Sequence, residues 1–278
     1  MNLLKTFIKK IDLIYEKLNL LTKGDLFCIL FNLKSFITNR KTRFDFDKKS
    51  FRYIASNKKY KRYFYAKRQS FYAYQKGIDK RAEQIGRDYL LHNIEFKDGD
   101  TVIDCGANIG DLELYFVSKK IKVNYLAFEP SPAEFECLTL NLILEKSRSF
   151  NLGLFNKPGF LKFYVSSEHA DSSFIQPHKF ENIEFINTER FENIYKDLNL
   201  NTIKLLKLEA EGAEPEILLG SKSVLNNIEY IAADVGFERG IEQRSTLPEV
   251  NNFLMINQFK LVDNGRKRIV CLYKNQNF

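Results

Sequence analysis

The sequence predicts an α/β domain with a doubly wound, mostly parallel β-sheet, preceded by a basic helical extension. Strand and helix patterns alternate from residue 79 onward, and the first strand, TVIDCG, runs directly into a turn with two glycines. The extension is distinguished by charge, because residues 1–75 hold 18 Lys/Arg and 5 Asp/Glu, whereas the rest of the chain holds 25 and 30. We therefore divide the chain into a basic region, 1–78, and a domain, 79–278.

The basic region is predicted to be helical. Apolar residues recur at steps of three and four along its first part, as on one face of an amphipathic helix: Leu4, Phe7, Ile8, Ile11, Ile14, Leu18 and Leu21. Residues 41–68 are dense in Lys, Arg, Phe and Tyr. Such a region suits an anionic membrane surface, an oligomer contact, single-stranded nucleic acid or a plain solvated face. We expect peripheral membrane contact through residues 1–75 and a homo-oligomer, and no nucleic acid, since no RNP-like motif is present.

The domain is predicted from its alternating patterns. Short apolar runs bounded by turn residues indicate strands at 101–106, 124–130, 149–154, 202–209 and 229–234, with FKLV and RIVCLYK as closing strands. Amphipathic stretches indicate helices between them at 79–92, 111–119, 132–146, 189–199, 213–220 and 247–258. A hairpin-like segment, GFLKFYVSSEHADSSF, interrupts this order after residue 158.

Several compartments and site types are excluded by composition. The four cysteines are far apart and form no C-x-x-C pair, which argues against a disulfide framework and a zinc site. The longest apolar runs, such as LFCIL at 26–30, are far shorter than the roughly 20 residues that span a bilayer. Lysines inside the first apolar stretch argue against a signal peptide. We expect a cytoplasmic protein that contacts the inner face of the membrane.

The turn after the first strand predicts the cofactor. It reads Asp104-x-Gly106-Ala107-Asn108-x-Gly110, with fewer glycines than the dinucleotide pattern G-x-G-x-x-G. A carboxylate at this strand end repels a pyrophosphate but suits the ammonium group of S-adenosylmethionine. Glu129 ends the next strand, where an acidic residue accepts hydrogen bonds from ribose hydroxyls, a feature that NAD shares. The predicted cofactor residues are Asp104, Gly106, Ala107, Asn108, Gly110, Asp111, Glu129, Pro130, Ser131 and Asn151.

Candidate catalytic residues lie at later strand ends. Lys207 and Glu209 are two apart in a strand and so point to the same face, and Asp234 ends the following strand. Asp234 or Glu209 could serve as the base for a hydroxyl acceptor, with Lys207 tuning its pKa. Two alternatives remain open: Lys207 and Glu209 form a structural ion pair, or Glu209 and Asp234 bind Mg²⁺ through their oxygens.

Loop residues supply the candidate acceptor contacts. Glu211, Glu238 and Arg239 are predicted to contact the substrate; Arg239 either grips a sugar hydroxyl or phosphate or pins its own loop. His169 and His178 bracket a polar loop that could cover the acceptor, which makes His169 a further candidate base.

Three blocks, DCGANIG, AFEPSPAEFECLTLN and IKLLKLEAEGAEPEILLGS, together resemble the FkbM family of S-adenosylmethionine-dependent methyltransferases over about residues 79–275. The resemblance implies a Rossmann-like class I fold and O-methyl transfer to a sugar hydroxyl of a nucleotide-linked or lipid-linked glycan. Two departures stand out: Glu209 where the family usually has Asp, and Phe237 where Pro is more usual. An RNA or small phosphorylated acceptor, or a cofactor-binding module without catalysis, remains the alternative.

Overall fold

The computed structural model describes residues 17–18, 21–37, 41–65, 73–166, 171–266 and 268–278. The chain divides into two compact units, residues 1–81 and 82–278. Most of the amphipathic helix predicted over the first 21 residues lies outside the described ranges. Within those ranges, no helix has the length and apolar character needed to cross a membrane.

In the first unit, helix α1 (Gly24–Ile37) packs on a three-stranded antiparallel sheet of β1 (Arg43–Asp47), β2 (Arg52–Ser56) and β3 (Lys61–Phe64). The expectation of a helical extension is therefore wrong for residues 43–64. Phe44, Tyr53 and Phe64 lie on the buried face of these strands and alternate with more exposed residues, as in half-buried strands, and the basic Arg62 is buried as well. Together with Phe27 and Phe31 of α1, these three aromatic side chains form an aromatic core.

The second unit alternates strands with helices. Its elements are α2 (Ile78–Asp88, which begins before the boundary), β4 (Thr101–Cys105), α3 (Asp111–Lys119), β5 (Asn124–Phe128), α4 (Pro132–Asn141), β6 (Arg148–Phe150), β7 (Gly153–Leu154), β8 (Gly159–Val165), β9 (Asn182–Glu189), α5 (Phe191–Asp197), β10 (Ile203–Leu208), α6 (Glu214–Leu219), β11 (Ile228–Asp234), α7 (Leu247–Ile256), β12 (Phe259–Asn264) and β13 (Val270–Asn275).

A seven-stranded sheet forms the centre of this unit, in the order β12-β13-β11-β10-β4-β5-β6. The five strands from β11 to β6 run parallel, and β13 runs antiparallel to both of its neighbours. The central strands are almost entirely buried, as expected for a sheet covered by helices on both faces. The predicted doubly wound, mostly parallel sheet is confirmed.

Several elements end earlier than predicted, among them the helix predicted over 79–92, which ends at Asp88. Helix α4 stops at Asn141 because the carboxylate of Glu113 accepts hydrogen bonds from the backbone N–H groups of Ile143 (2.8 Å) and Leu144 (2.9 Å). The predicted strand 149–154 is split between β6 in the main sheet and β7 in a second, three-stranded sheet of order β7-β9-β8. The hairpin-like segment does begin with β8, but its returning strand is β9.

The strand ends determine where a ligand can bind. The carboxyl ends of β4, β5, β10 and β11 meet at one edge of the sheet, the usual ligand edge of parallel α/β sheets. Because β13 is antiparallel, its beginning joins the same edge, with Val270 opposite Asp234. Residues just before β13 are therefore brought beside the ends of the parallel strands.

Candidate active site

Lys207 lies at the centre of a buried ionic network at this edge. Its Nζ is 3.0 Å from Asp104 Oδ1 and 3.0 Å from Glu209 Oε2. The ammonium also donates to the backbone carbonyls of Gly106 (2.7 Å) and Cys105 (3.2 Å). An ammonium has three N–H donors, so these four oxygens use its full capacity and leave none for a ligand.

This network corrects two sequence-based predictions. Burial alone would lower the pKa of Lys207, but Asp104, Tyr89 and Glu209 outweigh burial and hold the pKa well above its usual value. Lys207 therefore stays protonated, and the structural ion pair is the alternative that the geometry favours. Asp104 is 1% exposed and also accepts a hydrogen bond from the Tyr125 hydroxyl, so it binds the ammonium of Lys207 and has no surface for a cofactor ammonium.

Arg268, which the sequence analysis did not single out, joins the two remaining carboxylates. Its guanidinium pairs with Glu209 and lies 2.5 Å from Asp234 Oδ2 through Nε. Glu209 also accepts a hydrogen bond from the Tyr89 hydroxyl. Burial acts to raise the pKa of Glu209, but Arg268 and Lys207 outweigh burial and hold this pKa well below its usual range. Glu209 is thus a poor proton acceptor and is corrected from candidate base to network member.

The same guanidinium bears on the predicted Mg²⁺ site. Arg268 pairs with both carboxylates proposed as ligands, so each already has a cationic partner and a divalent cation there would face the guanidinium at ion-pair distance. In the described part of the chain, no group of three or more His, Cys, Asp or Glu side chains has the arrangement of a metal site. The residues present do not fit a metal at Glu209 and Asp234.

Three carboxyl groups near Arg268, namely Glu211, Asp234 and Glu238, form what we call the acidic rim. Burial is the largest cause of a raised pKa for each of them. The pKa of Glu211 is raised further by Glu238, and burial together with Asp234 raises the pKa of Glu238 to about 8. Glu238 is partly exposed, whereas Asp234 is 1% exposed. A reachable carboxylate with a pKa near neutrality has the properties of a general base, and Glu238 fits this description best.

The polar loop after β8 contacts the rim. Ser173 is buried and its hydroxyl donates to the backbone carbonyl of Glu211 (2.8 Å), while Glu211 itself adopts a left-handed backbone with φ 49°. This contact supports a loop beside the acceptor position. His169 lies in the segment 167–170, outside the described residues, and His178 is exposed.

The turn from Gly106 to Gly110, which we call the glycine loop, is shaped by the backbone around it. Gly106 has φ 70°, and a Cβ at this position would lie 1.8 Å from the backbone carbonyl oxygen of Glu209. Only glycine lets the end of β4 approach the end of β10 so closely. Asn108 also has a left-handed backbone (φ 49°), and Ala107 is buried in the core beneath the loop.

Glu129 ties the glycine loop to the turn after β5. One carboxylate oxygen accepts the backbone N–H of Asn108 (2.7 Å), and the other accepts that of Ser131 (2.8 Å). The side-chain amide of Asn151 donates to the carbonyls of Glu129 and Pro130 (3.0 Å each) and so holds this turn. The predicted residues of both loops are thus brought together.

The end of β5 has the acceptors that ribose hydroxyls require. Each carboxylate oxygen of Glu129 accepts one backbone N–H group, from Asn108 or from Ser131, and can accept a further hydrogen bond. Glu134, 4% exposed, has an Oε1 atom with no hydrogen-bond partner among the described residues. Burial and Glu134 raise the pKa of Glu129 to about 8. These acceptors fit the ribose of S-adenosylmethionine. Asp111 is buried in the first turn of α3, where its negative charge interacts favourably with the helix dipole.

Arg239 does not have the position expected of a substrate contact. Its guanidinium binds Glu216 through two hydrogen bonds (2.7 and 2.9 Å) and donates to the carbonyl of Gly212. With these partners Arg239 pins its loop against α6. It therefore does not serve as a free grip for an acceptor.

Sequence reasoning missed Tyr89, Tyr125, Glu134 and Arg268. The first three carry no signal that distinguishes them from ordinary helix or strand residues. Arg268 carries no local signal either, because its place at the ligand edge depends on the long-range, antiparallel pairing of β13. The parallel strand ends, in contrast, were sufficient to predict that Lys207, Glu209 and Asp234 lie close together.

Comparison with known proteins gives matches over this same part of the chain. The Methyltransferase FkbM domain model matches residues 104–261. The chain is 22% identical over 204 residues to "2-O-methyltransferase NoeI" of Sinorhizobium fredii, covering 66% of this chain and 84% of that protein. It is 28% identical over 191 residues to "Methyltransferase sdnD" of Sordaria araneosa, covering 56% and 73%. A solved structure of a SAM-dependent methyltransferase from Aquifex aeolicus is 13% identical, covers 70% of this chain and 97% of that chain, and has a TM-score of 0.40.

Proposed function

The chain belongs to the FkbM methyltransferase family and is an S-adenosylmethionine-dependent methyltransferase, and we propose that it methylates a sugar hydroxyl of a nucleotide-linked or lipid-linked glycan. The observation that carries this proposal is the acidic rim beside the glycine loop. Its two partly exposed carboxyl groups, Glu211 and Glu238, suit an acceptor that presents several hydroxyl donors. The relative from Sinorhizobium fredii, a 2-O-methyltransferase by name, is consistent with transfer to oxygen.

In this proposal the residues of the chain position the cofactor and remove the proton of the acceptor hydroxyl. When bound, S-adenosylmethionine supplies an electrophilic methyl group on a sulfonium. Glu129 and Glu134 hold the ribose, and Lys207 fixes the glycine loop through its carbonyl contacts. Glu238, with a pKa raised to about 8, accepts the proton of the acceptor hydroxyl.

The charges of the site favour a sugar over the alternatives. Phosphate groups of an RNA or a small phosphorylated acceptor would meet the acidic rim, and Arg239, which could have gripped them, is bound to Glu216. The phosphates of a nucleotide-linked or lipid-linked acceptor must then lie away from the rim. A module without catalysis would have no need for a partly exposed carboxyl whose pKa is near neutrality.

The test is methyl transfer from radiolabelled S-adenosylmethionine to a panel of nucleotide sugars, lipid-linked glycans and short RNAs. Thermal shift with S-adenosylhomocysteine shows that the protein is loaded, since a ligand at about 100 times its Kd adds roughly 2.7 kcal/mol of stability. Glu238→Gln should lower kcat by at least about 100-fold, whereas Glu242→Gln, at an exposed neighbour, should not. Transfer to RNA alone, or loading without transfer to any acceptor, would reject the sugar proposal.

Cytoplasmic location at the inner face of the membrane is part of the same proposal. The support is the excess of 18 Lys/Arg over 5 Asp/Glu in residues 1–75 and the four free, buried cysteines. The expected homo-oligomer stays a prediction.

A further inference from the structure

Helix α1 is apolar on two opposite faces. One face, with Phe27, Cys28 and Phe31, is buried in the first unit. The other face consists of large apolar side chains spaced at three and four residues, which we call the α1 stripe: Leu26 (55% exposed), Ile29 (61%), Leu33 (50%) and Phe36 (85%). Surface helices normally present polar residues on the face away from the core. The stripe is thus an apolar surface with the regular spacing of a contact face.

The unit that carries the stripe is strongly basic. Lys23 directly precedes the helix and Lys41 follows it; both are exposed. Asn32 ties this part of the chain to the helix, because its side chain bonds to both backbone groups of Phe44 (2.7 and 2.8 Å). Basic side chains before and after a helix with an exposed apolar stripe match a partner with negative charge above an apolar layer.

The dimensions of α1 decide how it would meet such a partner. The helix has 14 residues, which makes it about 21 Å long, shorter than the roughly 30 Å hydrocarbon core of a bilayer. It can therefore lie along a membrane surface but not span it. We propose that the α1 stripe inserts into the interface of an anionic lipid bilayer, with Lys23 and Lys41 on the headgroups. This inference does not depend on the proposed acceptor, so vesicle binding and methyl transfer can fail separately.

The experiment is co-sedimentation of the full chain with vesicles of phosphatidylcholine alone or with 30 mol% phosphatidylglycerol. The wild type should bind only the anionic vesicles, and less in high salt. The double variant Ile29→Ser with Phe36→Ser should weaken binding by about tenfold or more, because two large apolar side chains are no longer transferred from water into the lipid interface. The matched control, Phe160→Ser with Ile256→Ser, removes two apolar side chains of the second unit that are 73% and 79% exposed and should bind as the wild type does.

Other results would overturn the proposal. Absence of wild-type binding, equal binding to neutral vesicles or equal losses in both variant pairs would each do so. Light scattering identifies a rival occupant: a wild-type dimer that only the stripe variant dissociates would assign the face to a second copy. Circular dichroism of each variant confirms that the fold is retained.

Discussion

Lys207 and Asp104 face each other across adjacent parallel strands, with 3.0 Å between Nζ and Oδ1 and exposures of 3% and 1%. The pair joins β4 to β10, the strand that Glu209 directly follows. Since the ammonium also binds the carbonyl of Gly106, the ion pair fixes the glycine loop at the same time. Its removal should therefore affect both folding and cofactor binding.

The first prediction concerns this buried ammonium. Lys207→Met leaves Asp104 as an uncompensated buried charge and should lower the free energy of unfolding by about 3–5 kcal/mol. Lys204→Met is the matched control on the same strand; it breaks a partly exposed pair with Glu229 (2.9 Å) and should cost about 1 kcal/mol or less. Urea unfolding measures both. Equal costs would show that the Lys207 network adds nothing beyond an ordinary ion pair.

The second prediction concerns the glycine loop. Gly106→Ala drives a methyl group into the carbonyl of Glu209 and should cost more than about 3 kcal/mol or prevent folding. Gly99→Ala is the control, because Gly99 also has a positive φ, 89°, but no atom within 4 Å of its would-be Cβ. This control should show only backbone strain, about 1–2 kcal/mol. Thermal unfolding that ranks the two variants in the opposite order would contradict the packing argument.

The third prediction concerns Arg268 as a positioning residue. Its guanidinium lowers the pKa of Asp234 and Glu238 against the effect of burial. Arg268→Gln should therefore raise the pKa of Glu238, the proposed base, and move the kcat/KM profile to higher pH, with a lower rate at pH 7. Arg266→Gln removes a nearby exposed arginine and should leave the profile in place. A loss of rate without any alkaline shift would mean that Arg268 acts only on stability.

The fourth prediction concerns Glu129. Burial and Glu134 raise its pKa from the ordinary 4.5 to about 8. Because the folded pKa lies above the unfolded one, the contribution of Glu129 to stability is complete below about pH 4.5 and is lost as the pH rises through about 8.

Glu129→Gln should remove this dependence, so the wild type should lose up to roughly 4 kcal/mol relative to the variant between pH 4.5 and pH 8. Urea unfolding across that window measures the difference. Glu95→Gln, at an exposed position, should follow the wild type. Parallel wild-type and Glu129→Gln curves would contradict the raised pKa.

The sequence predicted those features that depend on local patterns. The succession of strands and helices along the second unit follows from apolar runs and amphipathic stretches. The meeting of Lys207, Glu209 and Asp234 at one edge of the sheet follows from the parallel direction of their strands. The sheet over residues 43–64 was missed because alternating basic and aromatic residues were taken for a helix. Arg268 was missed because its position depends on the antiparallel β13, a long-range pairing with no local signal.

The close approach of Gly106 to the carbonyl of Glu209 also has an evolutionary meaning. Natural selection would retain this glycine in any descendant that still folds, whether or not that descendant transfers a methyl group. The Asp104–Lys207 pair falls under the same selection for folding. Loss of activity within a lineage would therefore appear first at Glu238 or Glu134, while the residues that make the motif recognisable stay unchanged.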